Sequence, residues 1–222
     1  MKYANTTELL KSLEALYHAG KGESAVQLLL ENRDQLEPGL FHYNLGTFYT
    51  QINDLGAGRY HLEKALQYEG PTTDILNNLR TVQTQLAHQE LAHSTQIFDR
   101  LLASLFELPI DYAITATLIL ILFGIIIFKW RGIKSFWALG LYFLLSLAPV
   151  ALSSYVTYQY DVAIVLKESS VLEGPSALFK EKYRLSSGLK IVVEKHEDQG
   201  WYFIRKPVHL SGWINQESLG LL

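Results

Sequence analysis

The sequence contains no cysteine, and it has no excess of basic residues. The first absence excludes disulfides, thiolate metal ligands and cysteine nucleophiles. The formal net charge is −3, and acids outnumber bases by 13 to 8 over the first 107 residues. Since proteins that bind nucleic acid usually carry a basic patch, we expect no nucleic-acid partner. The sequence also has no glycine-rich phosphate loop and no set of catalytic or metal-ligating residues, so we expect neither an enzyme nor a cofactor site.

Charge is absent altogether from two apolar runs, 112–128 and 136–156. Each run is close to the ~20 residues that a helix needs to cross a bilayer, so we assign transmembrane helices to 110–128 and 136–157. Because only the short loop 129–135 joins them, the two helices must be antiparallel neighbours. The segments before and after this pair then lie on the same side of the membrane. With no ionisable residue in either run, we expect an anchor in the lipid bilayer rather than an ion pathway.

The loop between the two runs carries three basic residues, Lys129, Arg131 and Lys134, and no acid. The positive-inside rule therefore predicts that these residues determine the topology and that the loop is cytoplasmic. Both terminal domains would then be periplasmic in a bacterium with two membranes. The first residues of the sequence lack the apolar core of a signal peptide. Three explanations stay open: a start upstream of Met1, a signal that was removed, or an inverted orientation.

Residues 1–92 show the periodicity of short amphipathic helices. Breaks at Pro38 and Gly70 separate these helices, and either Thr72 or Thr73 can cap a further one. Short helices joined by such turns are typical of an antiparallel helical repeat, here with a capping helix at its end.

The second helix pair matches a known repeat pattern. The matching residues are Tyr43, Asn44, Leu45, Gly46, Tyr49, Asn53, Asp54, Glu63, Lys64, Ala65, Leu66 and Pro71. Together they resemble a tetratricopeptide repeat, with three departures. His42 stands where the repeat has a large aromatic residue, and Pro71 arrives one residue late. Gly58 replaces an alanine, which we expect to weaken its helix by up to ~1 kcal/mol. The resemblance implies that the first helix of the pair lines a concave protein-binding face. The candidate binding residues there are Tyr43, Asn44, Thr47 and Thr50.

A dense apolar face precedes the first transmembrane helix, over residues 93–109. We interpret this segment as an amphipathic connecting helix. Two roles stay open for it, since it can cover the last repeat or lie on the membrane surface.

Residues 160–222 show a different pattern, with five short runs rich in β-branched and aromatic residues between turn signals. This pattern predicts a small β-barrel. The residues Gly174, Pro175, Ser176, Leu185, Gly188, Ile191, Val193, Gly200, Trp201, Gly212, Trp213, Ile214 and Leu219 resemble a bacterial SH3 domain. The candidate ligand surface of this barrel is Trp201, Tyr202 and Trp213, although strand alternation should turn Tyr202 to the face opposite Trp201.

The predicted fold class is thus a multidomain membrane protein with an all-α tetratricopeptide-like repeat, a two-helix transmembrane hairpin and a small all-β SH3-like barrel. This order resembles the BatE family of bacterial aerotolerance operons. The resemblance implies a non-enzymatic scaffold of the cell envelope whose partners are membrane proteins with von Willebrand A domains. As an alternative, the SH3-like domain binds peptidoglycan.

Overall fold

The computed structural model describes residues 6–87, 110–131, 135–195 and 199–222. These residues form a helical domain, an apolar helical hairpin and a β-domain. The connecting helix predicted at 93–109 and the basic residue Lys134 lie outside the described residues.

The helical domain consists of five helices in succession. They are α1 (Thr6–His18), α2 (Gly22–Glu31), α3 (Pro38–Gln51), α4 (Leu55–Glu69) and α5 (Thr73–Ala87). Asp54 caps α4 by accepting a hydrogen bond from the amide of Ala57 at 3.1 Å. Of the two candidate caps for α5, Thr72 accepts the amide hydrogen bond of Ile75, at 3.4 Å.

Two apolar clusters fill this domain. The first joins α1, α2 and α3 through Leu9, Leu13, Ala25, Val26, Leu29, Leu36, Phe41, Leu45 and Phe48. The second joins α4 and α5 through Leu55, Leu62, Ala65, Ile75, Leu79, Val82 and Leu86. The helical spacing of these residues is the amphipathic pattern visible in the sequence.

Gly58 lies at a close contact between α3 and α4. A Cβ atom at Gly58 would lie 2.7 Å from Thr50 Oγ1 and 3.2 Å from the Thr50 amide nitrogen. An alanine would push the two helices apart, so the expected cost of this glycine to its helix is offset by tight packing.

The apolar hairpin comprises α6 (Ile110–Arg131), α7 (Phe136–Ser146) and α8 (Ala148–Gln159). The stretches Ile110–Arg131 and Phe136–Gln159 are 22 and 24 residues long, and both are long and apolar enough to span a membrane. The second stretch is interrupted at Leu147, between α7 and α8 and two residues before Pro149, which cannot donate a helix hydrogen bond.

Tyr142 joins the two arms of the hairpin. Its hydroxyl donates a hydrogen bond to the carbonyl oxygen of Leu120 at 2.6 Å. Its ring lies over Gly124, where a Cβ atom would be 2.0 Å from Tyr142 Cε1. No such neighbour lies within 4 Å of the Cβ position of Gly140 among the described residues. Gly124 therefore permits a close contact between the two arms of the hairpin.

The β-domain is a seven-stranded antiparallel sheet with strand order β3-β2-β6-β5-β4-β1-β7. The strands are β1 (Tyr160–Val165), β2 (Ser169–Leu172), β3 (Glu181–Leu185), β4 (Lys190–Glu194), β5 (Trp201–Lys206), β6 (Trp213–Asn215) and β7 (Leu219–Leu221). Its core contains Ala163, Val165, Val171, Leu185, Ile191, Val193, Tyr202, Ile204, Ile214 and Leu219. Five strands were expected, and β3 and β7 are the two additional ones.

The β-domain follows the hairpin without a linker, since β1 begins at the residue after α8 ends. Lys195 holds this junction from the β4 side. Its amide donates to the carbonyl oxygen of Gln159 at 2.9 Å, and its ammonium donates to that of Thr157 at 3.2 Å. The ammonium also lies 3.6 Å from the Asp161 carboxylate. These contacts fix the β-domain against the end of α8.

Candidate interaction surfaces

The helical domain packs on the β-domain through α4. Lys190 on β4 donates a hydrogen bond to the Glu63 carboxylate at 3.2 Å, and Arg59 Nε lies 3.7 Å from the same carboxylate. Arg59 Nη1 also donates to the carbonyl oxygen of Gly188 at 2.7 Å. Glu63 is only 8% exposed, and a buried charge needs a counter-charge. Two cations supply it, Arg59 from α4 and Lys190 from β4. We call this contact, including the strand residues described next, the docking surface.

Three neighbouring strands contribute one row of residues to the docking surface. Ile164 on β1 is in register with Lys190 on one side and Gly220 on the other. In-register neighbours share a face of the sheet. A Cβ atom at Gly220 would lie 2.5 Å from the ring of Tyr60 on α4. Ile164 is fully buried although it points away from the β-domain core, because α4 covers this row.

Backbone also meets backbone at the docking surface. A Cβ atom at Gly56, in the first turn of α4, would lie 2.4 Å from the carbonyl oxygen of Leu166. That oxygen accepts a hydrogen bond from Ser187 Oγ at 2.8 Å. A residue with a Cβ atom at position 56 would collide with this carbonyl oxygen, so Gly56 allows α4 to approach the end of β1 closely.

The four candidate residues of the repeat divide between two environments. Tyr43 and Thr47 are half-buried and face α5, where the amide of Asn78 donates to Thr47 Oγ1 at 3.1 Å and to Tyr43 Oη at 3.4 Å. Asn44 donates to the carbonyl oxygen of Leu40 in its own helix. Thr50 donates to its own helix too and packs against Gly58. Only Tyr43 and Thr47 thus form a polar patch together.

A stack of rings fills the outer part of the α3–α4 contact. His61 is stacked on Tyr49 with ring centroids 5.4 Å apart and on His42 at 5.0 Å, and His42 is stacked on Tyr68 at 5.7 Å. The two Nδ1 atoms of the histidines lie 2.8 Å apart, so one ring donates and the other accepts. Burial, reinforced by His42, lowers the pKa of His61 to about 3. Burial and the nearby Lys64 and Arg33 lower the pKa of His42. The pair is therefore neutral at pH 7.

The β-domain carries aromatic residues on its outer face as well as in its core. Trp201 and Trp213 are half-buried there, and Trp213 meets Phe203 edge to face with ring centroids 5.3 Å apart. The Arg205 guanidinium lies 5.1 Å from the Phe203 ring centroid. Tyr202 is in the core at 6% exposure and does not belong to this surface. We call Trp201, Phe203 and Trp213 the aromatic face, in which Phe203 replaces Tyr202 of the expected set.

Two of the three basic residues expected to set the topology are described, Lys129 and Arg131. Both are exposed in the last turn of α6, where a positive charge is also favoured by the helix dipole. The flanking rings of Trp130 and Trp137 are 85% and 86% exposed.

A cleft lies where α4, α5 and β4 meet, next to the docking surface. Its volume is about 430 Å³. It is lined by Arg59, Glu63, Leu66, Leu76, Leu79, Arg80, Gln83 and Lys190. Neither this cleft nor the docking surface was predicted from the sequence. Their only sequence signals are cations and a carboxylate at helical spacing on α4 and α5, a pattern that also fits a solvated helix face.

The described residues contain no group of three or more His, Cys, Asp or Glu side chains that could hold a metal ion. No family model matches the chain, and neither a curated protein nor a solved structure matches it.

Proposed function

We propose that this protein is a non-catalytic scaffold anchored in a bacterial cytoplasmic membrane. In this proposal the apolar hairpin spans the bilayer twice, and both other domains lie on its outer, periplasmic face. The helical domain acts as a tetratricopeptide-like repeat and the β-domain as an SH3-like barrel. Following the BatE resemblance, the partners are envelope proteins with von Willebrand A domains, and the assembly serves aerotolerance or another stress resistance.

One observation carries this proposal, namely that α4 docks on a β-domain which itself follows α8 without a linker. The helical domain is thereby held against the same domain that the membrane helix positions. Such an arrangement holds the Tyr43–Thr47 patch and the aromatic face at a fixed distance and orientation. A preorganised pair of surfaces lowers the entropic cost of binding a partner, which supports a binding function rather than a catalytic one.

In-cell photo-crosslinking tests the scaffold. A photoreactive phenylalanine analogue is placed at Tyr43 or at Trp213 of the full chain, and at Lys11 on α1 as a control. We expect discrete adducts from Tyr43 or Trp213 with membrane proteins that carry a von Willebrand A domain, identified by mass spectrometry. If all three positions give the same background of adducts, the scaffold proposal is wrong.

The aromatic face favours a second candidate function, binding of peptidoglycan. Half-buried Trp213 and Phe203 offer flat apolar surfaces for sugar rings, and Arg205, which pairs with Glu194, lies beside them. The test is sedimentation of the full chain in detergent with purified peptidoglycan. Pelleting that is lost in Trp213→Ala supports this function, whereas the absence of pelleting excludes it.

A further inference from the structure

The cleft between α4, α5 and β4 has two parallel walls. On α4, Arg59, Glu63 and Leu66 are spaced by four and three residues, so they lie on one side of the helix. Leu76, Arg80 and Gln83 repeat this spacing on α5, and Leu79 lies on the same side of the helix. The groove between the two helices is about 10 Å long at 1.5 Å per residue, which fits about three extended residues of a peptide.

The charge of the cleft is positive in a chain whose net charge is −3. Among the residues that line the cleft, three are cationic, Arg59, Arg80 and Lys190, and one is anionic, Glu63. Glu63 is shared by Arg59 and Lys190. Within the described chain, Arg59 Nε is buried without a hydrogen-bond partner, and no side chain there pairs with the guanidinium of Arg80.

The cleft also has an apolar part. Leu79 belongs to the core cluster of α4 and α5, half-buried Leu66 packs against that cluster, and both side chains line the cleft. Leu76 also lines the cleft and remains 46% exposed, so its side chain is accessible to a ligand. A ligand that fits both parts carries a negative charge next to an apolar side chain.

We propose that this cleft binds an acidic peptide segment of a partner protein, with an Asp or Glu side chain on Arg80 and Arg59 and a neighbouring Leu, Ile or Phe side chain on Leu76. Arginine forks match carboxylates in a bidentate geometry, and Arg clusters are a common means of recognising acidic motifs. The Gln83 amide lies beside Arg80, where it can pair with the peptide backbone. The cleft would be a further partner site of the scaffold, besides the Tyr43–Thr47 patch and the aromatic face, so this inference rests on the proposed function.

The test is a selection from a phage-displayed library of random dodecapeptides on the full chain in phosphatidylcholine nanodiscs. Arg80→Glu and Lys11→Glu are used in parallel, because both reverse one exposed cation but Lys11 lies on α1. We expect peptides enriched on the unsubstituted chain and on Lys11→Glu to carry Asp or Glu next to Leu, Ile or Phe. A synthetic copy of an enriched peptide should bind Arg80→Glu at least tenfold more weakly, and amide replacement of its acids should weaken it similarly.

Three results would overturn the inference. They are enriched peptides without acidic residues, equal losses in Arg80→Glu and Lys11→Glu, and displacement of the peptides when the nanodiscs contain phosphatidylglycerol, which would assign the cleft to anionic lipid. The scaffold proposal is tested separately by crosslinking. If Tyr43 or Trp213 gives crosslinked partners but the selection gives no acidic peptides, only the proposal that the cleft binds peptide is wrong. If acidic peptides are selected but no partners are crosslinked, the scaffold proposal is wrong and peptide binding in the cleft stands.

Discussion

The Glu63→Gln substitution tests how the helical domain is held on the β-domain. Glutamine keeps the shape of the side chain, so no cavity is formed, but it removes the negative charge that Lys190 and Arg59 share. The three side chains are only 11%, 19% and 13% exposed. Breaking a fully buried ion pair costs about 3–5 kcal/mol, and a charged hydrogen bond contributes about 1.5–3 kcal/mol. Because some water reaches this pair, we expect a loss of about 2–3 kcal/mol at the docking surface.

Amide hydrogen exchange of the full chain in nanodiscs measures this loss locally. A loss of about 1.4 kcal/mol corresponds to a factor of ten in the exchange rate. Amides of β1 and β4 that exchange only when the helical domain leaves the docking surface should therefore exchange about 30- to 150-fold faster. Exchange in α1, which is remote from the contact, should not change. Glu181→Gln is the matched control, because it breaks an ion pair with Arg184 on the exposed surface of the β-domain. Unchanged exchange of β1 and β4 in Glu63→Gln would refute the reasoning, as would an equal acceleration in α1.

Two further predictions concern the ring stack and the hairpin. The folded-state pKa of His61, about 3, lies below the ordinary 6.5, so stability is present above pH 6.5 and is lost as the pH falls toward 3. Lowering the pH from 7 to 5 should reduce the free energy of unfolding by about 2 kcal/mol, as measured by thermal unfolding followed by circular dichroism. His61→Phe should remove this part of the pH dependence of stability. An unchanged pH dependence in His61→Phe would contradict the lowered pKa of His61. In the hairpin, Gly124→Val should displace Tyr142 and destabilise the chain in detergent by about 1–3 kcal/mol, whereas Gly140→Val should not; equal unfolding midpoints for the two variants would contradict the packing.

Local patterns predicted most of the helices, because the spacing of apolar residues and the breaks at Pro38 and Gly70 are visible in short windows of sequence. The additional strand β3 was missed for a physical reason. Its sequence, Glu181–Leu185, carries three charged residues and buries only Leu185. β7 was missed because a strand of three residues has no detectable periodicity.

The docking surface was beyond prediction from the sequence for another reason. Glu63 and Lys190 are 127 positions apart, and neither differs locally from a solvated residue. Gly58 shows the same limit, because its helix propensity predicts a cost while its contact with Thr50 explains its presence. Alternation did predict that Trp201 and Tyr202 lie on opposite faces, but which of the two is in the core depends on the whole sheet.

The central claim is that both domains lie on one side of a membrane that the hairpin spans. Because the chain has no cysteine, single substitutions give a clean background for labelling with a membrane-impermeant thiol reagent. The three sites are Lys11→Cys in α1, Arg131→Cys at the end of α6 and Lys180→Cys in the β-domain. In sealed vesicles the account predicts that Lys11→Cys and Lys180→Cys are labelled from the same side and Arg131→Cys from the other. Labelling of Lys11→Cys and Lys180→Cys from opposite sides would contradict it.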